Sequence, residues 1–166
     1  MAGALRLRIP GYAEKVCIRV NGEAVCPQIS KGYTTIPLSG CAMEISLFFH
    51  MPPKLQYADP RVAANGGKCA VTKGPLVYCL EEADNGAYLA GLWLDPDGPL
   101  REQFEQNLLG GTIVITANGG RLQHTGGLYS SQKPTFSPVR LRFVPYCFWA
   151  NRAPGEMRIW LPYLRG

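Results

Sequence analysis

Only two side chains in this sequence titrate near neutral pH, His50 and His124, so general acid–base chemistry would have to start from them. His50 closes an apolar run just before Pro52, and His124 lies in a glycine-rich stretch. Neither stands at a motif spacing from a serine, cysteine or carboxylate, so a nucleophilic triad is unsupported and both read as structural residues. Glycoside hydrolysis would need two carboxylates converging on one bond. Glu81, Glu82 and Asp84 form one such cluster, and Asp95 with Asp97 another. The first follows a strand end and precedes Asn85-Gly86. The second belongs to Asp95-Pro-Asp-Gly98, which is turn chemistry as it stands.

A sugar can also be held without being cut, by stacking on aromatic faces. Trp93, Trp149 and Trp160, with eight tyrosines, supply such faces. Trp93 and Trp160 sit in apolar runs and are expected in the core. Trp149 precedes Ala150-Asn-Arg-Ala-Pro-Gly-Glu156, which places an amide, a guanidinium and a carboxylate within six residues. Two readings stand: a buried network that pins a corner, which is preferred, and a binding edge. The glycine doublets at 66–67, 110–111, 119–120 and 126–127 lack the phosphate-cradling G-x-G-x-x-G or P-loop arrangement and read as turns or bulges.

The elements that must position these residues are strands. Residues 4–9 alternate arginine with apolar side chains, the mark of a half-buried strand, and Pro10-Gly11 ends it. Runs at 16–20 and 23–26 flank Asn21-Gly22, the preferred pair for a two-residue hairpin turn. Further strands are expected at 33–37, 43–49, 53–58, 68–73, 75–80, 87–94, 112–116, 139–144, 145–150 and 156–161. Segment 99–109 is ambiguous: Leu100, Phe104 and Leu108 are spaced as on a helix behind Pro99, yet an extended edge fits as well. Residues 117–137 read as a long polar loop. About a dozen short strands with almost no helix make the fold class all-β, a sandwich or a barrel, of which an antiparallel, jelly-roll-like β-sandwich is preferred. A softer composition around 59–67 suggests a boundary between two small lobes, 1–62 and 63–166.

The 166 residues suit one ordinary domain or two small ones. With 46% hydrophobic and 17% charged residues, disorder is excluded. Nineteen glycines and fourteen prolines punctuate the chain without a collagen period. Its apolar runs are about five residues long, against the roughly twenty that a spanning helix needs, so no membrane association is expected. The opening MAGALRLRIP carries Arg6 and Arg8 where a signal peptide would be apolar, which makes the cytoplasm the default location. A formal charge of +5 is scattered and not clustered, and no nucleic-acid partner is expected. The six cysteines, at 17, 26, 41, 69, 79 and 147, show no metal-ligand spacing, so neither a metal nor another cofactor is expected. Cys17, Cys69 and Cys79 lie in apolar runs and are expected reduced and buried.

Three stretches, taken together, resemble a known family. They are LRLRIPGY at 5–12 followed by VNGEAV at 20–25; the long segment 50–82 with its ordered MPP, DPRV, AN-G and KGPLVYCLE; and PYCFWANRAPGEMRIWL at 145–161. They are similar to the C-terminal part of glycoside hydrolase family 127, the β-L-arabinofuranosidase-like enzymes, over nearly the whole chain except the poorly matching 117–137. The resemblance implies two β-sandwich lobes that follow a large (α/α) barrel. It also implies that the catalytic acid, the cysteine nucleophile and its metal-binding partners lie in that barrel, so no catalytic residue is carried over. Arg61 of DPRV and Asn65 of AN-G join Trp149, Asn151, Arg152 and Glu156 as candidate contacts to a sugar or to a neighbouring domain. A chain opening directly on a strand suggests an incomplete first lobe, whose open edge invites a homo-oligomer or a separate barrel-domain hydrolase as partner. The preferred function is a non-catalytic accessory module. The alternatives are a carbohydrate-binding module for arabinofuranose-containing glycans and an independent hydrolase using Glu81, Glu82 and Asp84.

Overall fold

A computed structural model describes residues 3–123 and 127–163. The chain forms two compact units, Met1–Pro52 and Pro53–Gly166. This seam lies N-terminal to the 62/63 position suggested by composition. The reason is strand pairing: Pro53–Tyr57 is hydrogen-bonded to Lys68–Lys73 and so belongs with the second unit. No helix among the described residues is long and apolar enough to cross a membrane.

In the first unit, β1 (Gly3–Arg8) pairs antiparallel with β4 (Tyr33–Leu38). A second sheet runs β3 (Glu23–Val25), β2 (Lys15–Val20), β5 (Ile45–His50). Asn21 and Gly22 join β2 to β3 with φ of 50° and 85°, the doubly positive backbone that a type I′ turn requires and that favours Asn-Gly. Few residues reach a core here: among the described residues Ile9, Pro10, Ile18 and Ile36 are the buried apolar ones, and Thr34 is buried as well. Because Ile18 takes the inward position of β2, Cys17 faces the other way and is exposed, contrary to the burial expected of it. Arg6 lies 4.9 Å from the centre of the Tyr33 ring, a cation–π contact on the wet face of the two-stranded sheet. A cleft of about 590 Å³ lies among Ile18, Val25, Ile36 and Met43.

The second unit is built on one nine-stranded sheet that curls around its core. Its strands are β6 (Pro53–Tyr57), β7 (Lys68–Lys73), β8 (Leu76–Glu81), β9 (Leu92–Leu94), β10 (Arg101–Glu105), β11 (Thr112–Leu122), β12 (Phe136–Pro145), β13 (Met157–Arg158) and β14 (Leu161–Pro162). The main path is β10-β11-β12-β8-β7-β14; β6 adds to β7, β13 to β8 and β9 to β11. Among the described residues the strand ladders are antiparallel, with one isolated parallel bridge between Leu94 and Tyr163, and the fold is all-β as expected. Tyr78, Cys79, Leu80 and Glu81 are buried in succession, which marks β8 as a strand covered on both faces. Other strands of the sheet supply much of the remaining core, with Val71, Leu92, Leu94, Ile115, Leu141, Phe143 and Leu161.

Segment 99–109, open between a helix and an extended edge, holds a strand, Arg101–Glu105, zipped to β11, and Phe104 is exposed. Several other local expectations are corrected. The supposed loop at 117–137 is largely strand at both ends, because β11 runs to Leu122 and β12 starts at Phe136. The 87–94 run contributes only Leu92–Leu94 as strand, after a 3-10 turn at Leu89–Gly91. Residues 145–150 hold a 3-10 turn, Tyr146–Phe148, in place of a strand.

All six thiols are free. Cys69 and Cys79 are buried, and loss of hydration pushes their pKa values up to about 11 and about 12. Both are therefore protonated at neutral pH and serve as small hydrophobes of the core.

Candidate functional site

One corner of the second unit gathers a cluster of paired charges. β8 ends at Glu81, and the chain turns at once into α1 (Glu82–Asn85), a single helical turn closed by Gly86 at φ 74°. Opposite it, β12 gives way to the Tyr146–Phe148 turn and then to the segment 149–156, which returns as β13 beside β8. The two chain segments are laced together. The Glu82 amide donates to the Glu156 carbonyl (2.9 Å), and the Glu156 amide donates to Oε2 of Glu82 (2.8 Å). Oε2 of Glu156 accepts from the Leu89 amide at 2.7 Å.

Inside this lacing sits an ionic network. Arg152 lies between Glu81 and Asp84: Nε donates to Oε2 of Glu81 (3.1 Å), Nη1 to Oδ1 of Asp84 (2.9 Å), and Nη2 to both carboxylates. Arg142, from β12, donates from Nη1 to Asp84 and from Nη2 to Oε2 of Glu105 (2.6 Å). Asn85 bridges the backbone, donating to the Glu81 and Arg142 carbonyls and accepting from the Arg142 amide. The carboxylates of Glu81 and Asp84 are only 7% and 8% exposed. Burial pushes the Asp84 pKa upward, but the hydrogen bonds and charges of Arg152 and Arg142 outweigh it and hold this carboxyl below its ordinary value. Asp84 in turn raises the Arg152 pKa, so the guanidinium is charged at every accessible pH.

This arrangement is poorly suited to hydrolysis. A glycosidase's general acid needs a raised pKa and its partner an open approach to the sugar. Asp84 is shifted the other way, and Glu81 spends its oxygens on Arg152 and on the Ala150 amide (3.0 Å). Glu82 serves the backbone of Glu156. The other carboxylate pair is a turn: Oδ1 of Asp95 accepts from the Asp97 amide at 3.2 Å.

The network does hold a special backbone. Ala150 has φ 63°, a left-handed conformation that costs a non-glycine residue about 1 kcal/mol or more. Its amide is fixed by Glu81, and Trp149 beside it is 42% exposed, its ring 6.1 Å from that of Tyr146 and nearly parallel to it. Of the six residues singled out in the sequence, four share this corner: Trp149, Asn151, Arg152 and Glu156. Asn151 donates to the Phe148 carbonyl (3.1 Å). The other two stand on the 59–67 segment. Arg61 is paired with Asp59 at the surface (2.9 Å), which lowers the Asp59 pKa, and Asn65 closes the short 3-10 turn Ala63–Asn65. His50 reaches Glu14 at 3.9 Å on the surface of the first unit; His124 lies outside the described residues. Among the described residues, no group of three or more His, Cys, Asp or Glu side chains converges as metal ligands would.

Sequence reasoning placed Trp93 in the core, and here it missed a feature. Leu92 and Leu94 take the buried face of β9, so Trp93 projects from the opposite one and is only half-buried. The alternation Leu-Trp-Leu carried that signal.

The profile of the glycoside hydrolase family 127 C-terminal domain matches residues 53–162. A non-reducing end β-L-arabinofuranosidase of Bifidobacterium longum subsp. longum is 34% identical over 165 residues, which cover 92% of this chain and 25% of that protein. The crystal structure of a family 127 β-L-arabinofuranosidase from Geobacillus stearothermophilus T6 superposes with a TM-score of 0.88 at 41% identity, covering 98% of this chain and 27% of that one. A second solved β-arabinofuranosidase of the family gives 0.84 at 28% identity, covering 98% and 28%. The chain thus spans about a quarter of the length of these relatives.

Proposed function

The chain belongs to glycoside hydrolase family 127, as a C-terminal piece of it, and from that membership we propose that it is a non-catalytic accessory β-domain that packs on a barrel carrying the family's chemistry. The observation that carries this reading is the fate of the larger of the two carboxylate clusters a hydrolase could have used. Glu81 and Asp84 are enclosed and paired with Arg152 and Arg142, so they hold a corner together and do not face a substrate.

The first unit supports the packing. It buries few apolar side chains while Phe48 is 66% and Ile29 52% exposed, with Leu5 and Leu47 also open. Exposed apolar surface of this kind suits a protein partner. Cleavage of β-L-arabinofuranosides, for which the relatives are named, belongs in this reading to the assembled enzyme. Incubated alone with an aryl β-L-arabinofuranoside, the chain is expected to release no phenol above the buffer rate. Turnover that disappears in Glu81→Gln would contradict the accessory reading.

A further inference from the structure

We propose that a cleft on the second unit, at the outward face of β9, holds a neutral sugar ring. The cleft measures about 560 Å³ and is walled by Trp93, Phe136, Pro162 and Tyr163. That volume falls in the range of small-molecule sites and accommodates one or two sugar units. Its rings are fixed by edge-on contacts: Trp93 meets Phe136 at 5.2 Å and 68°, and Tyr163 meets Tyr57 at 5.5 Å and 89°. Edge-to-face packing locks the plane of each ring without covering both of its faces. The site therefore offers pre-set apolar surfaces, which lowers the ordering cost of a ligand stacking on them.

The remaining wall is polar. Gly66 and Gly67 line it with exposed backbone, and a Cβ on Gly67, at φ 71°, would meet no atom within 4 Å. Lys68 completes the wall, its Nζ donating to the Ala64 carbonyl at 2.7 Å, and an ammonium has two further donors to give. A sugar matches this pairing, because one face of its ring carries C–H groups while its hydroxyls donate and accept around the edge. A purely apolar ligand would leave the ammonium and the bare backbone unmet, and a polyanion would call for more than one cation. No carboxylate lines the cleft among the described residues, so it is arranged to hold a sugar and not to cut one. The site does not depend on a barrel partner; only the choice of an arabinofuranoside as first probe rests on the family reading above.

The test is a titration of the ¹⁵N-labelled chain with methyl β-L-arabinofuranoside and, separately, methyl β-D-galactopyranoside, followed by amide and indole shifts. Saturable changes at the Gly66, Gly67 and Lys68 amides and the Trp93 indole are expected with at least one sugar in the millimolar range. Trp93→Ala is expected to weaken binding by about tenfold or more. If that variant loses its dispersed spectrum, Lys68→Met, which keeps the apolar stem, should weaken binding severalfold. Binding of the pyranoside alone would still support the cleft while removing the link to the family's sugar. No saturable shift with either sugar, or shifts centred on Trp149, would overturn the proposal. Failure of the chain to bind a barrel would not touch it.

Discussion

Arg152→Met is expected to destabilise the second unit by about 3–5 kcal/mol, the cost of leaving buried carboxylates without their cation. Glu81 and Asp84 are nearly closed to solvent, and Arg152 supplies four hydrogen bonds to them. The methionine keeps the length of the side chain, so the loss reports on charge and hydrogen bonding more than on volume. Urea unfolding followed by tryptophan fluorescence reads it as a lower midpoint. The pH dependence gives the sign independently. The folded-state pKa of Asp84 is depressed, so its contribution is fully present above the unfolded carboxyl pKa of about 4 and is lost as pH falls through the folded value. Wild-type stability should therefore hold from neutrality to about pH 4 and decline below it. In Arg152→Met that acid-side loss should shrink, because Asp84 would no longer be held ionised by Arg152. A variant within about 0.5 kcal/mol of wild type would show that the network is ornamental.

Gly119→Ala is the second large effect. A Cβ there would lie 2.3 Å from the Trp93 carbonyl oxygen and 2.8 Å from Cδ1 of Leu141. The first contact is with backbone, in the ladder that pairs Gly119 with Leu94. A flexible side chain cannot simply swing away, so β9 must be displaced from β11. Overpacking of this kind costs about 3 kcal/mol at the upper end of its usual range. Gly120→Ala, whose Cβ would press on the Phe136 side chain at 3.2 Å, should cost distinctly less. Thermal melts of the two variants check the order. Equal losses would mean that the strand crossing is not what requires Gly119.

The same glycines show why part of the fold was hidden in the sequence. Ala117-Asn-Gly-Gly120 reads as loop because glycine is scarce in strands, yet these residues pair with β12 on one side and, at Gly119 and Gly120, with β9 on the other. Glycine is there for close approach, a demand set by a partner more than twenty residues away. The short strands of the core announced themselves locally: 68–73 matches β7 outright, and the Asn21-Gly22 hairpin formed as its turn chemistry dictates. In 99–109 the spacing of Leu100, Phe104 and Leu108 fitted a helical face as well as an extended edge; pairing with β11 decided for the strand and left Phe104 in solvent. The corner was half legible. The polar trio of 151–156 stood out, and so did the carboxylates at 81–84. Their union through Arg152 spans 71 residues, and no local pattern encodes it.

The most direct test of the accessory reading is sedimentation velocity of this chain mixed with the Geobacillus stearothermophilus relative, produced without the quarter of its length that aligns with this chain. That relative is 41% identical to this chain where the two align, which makes its remaining part a fair stand-in for the partner surface. The account predicts that the two co-sediment as a one-to-one species, through the apolar side chains the first unit leaves open. Two independent boundaries, with the truncated relative shown to be folded and this chain sedimenting as a monomer at high concentration, would contradict it.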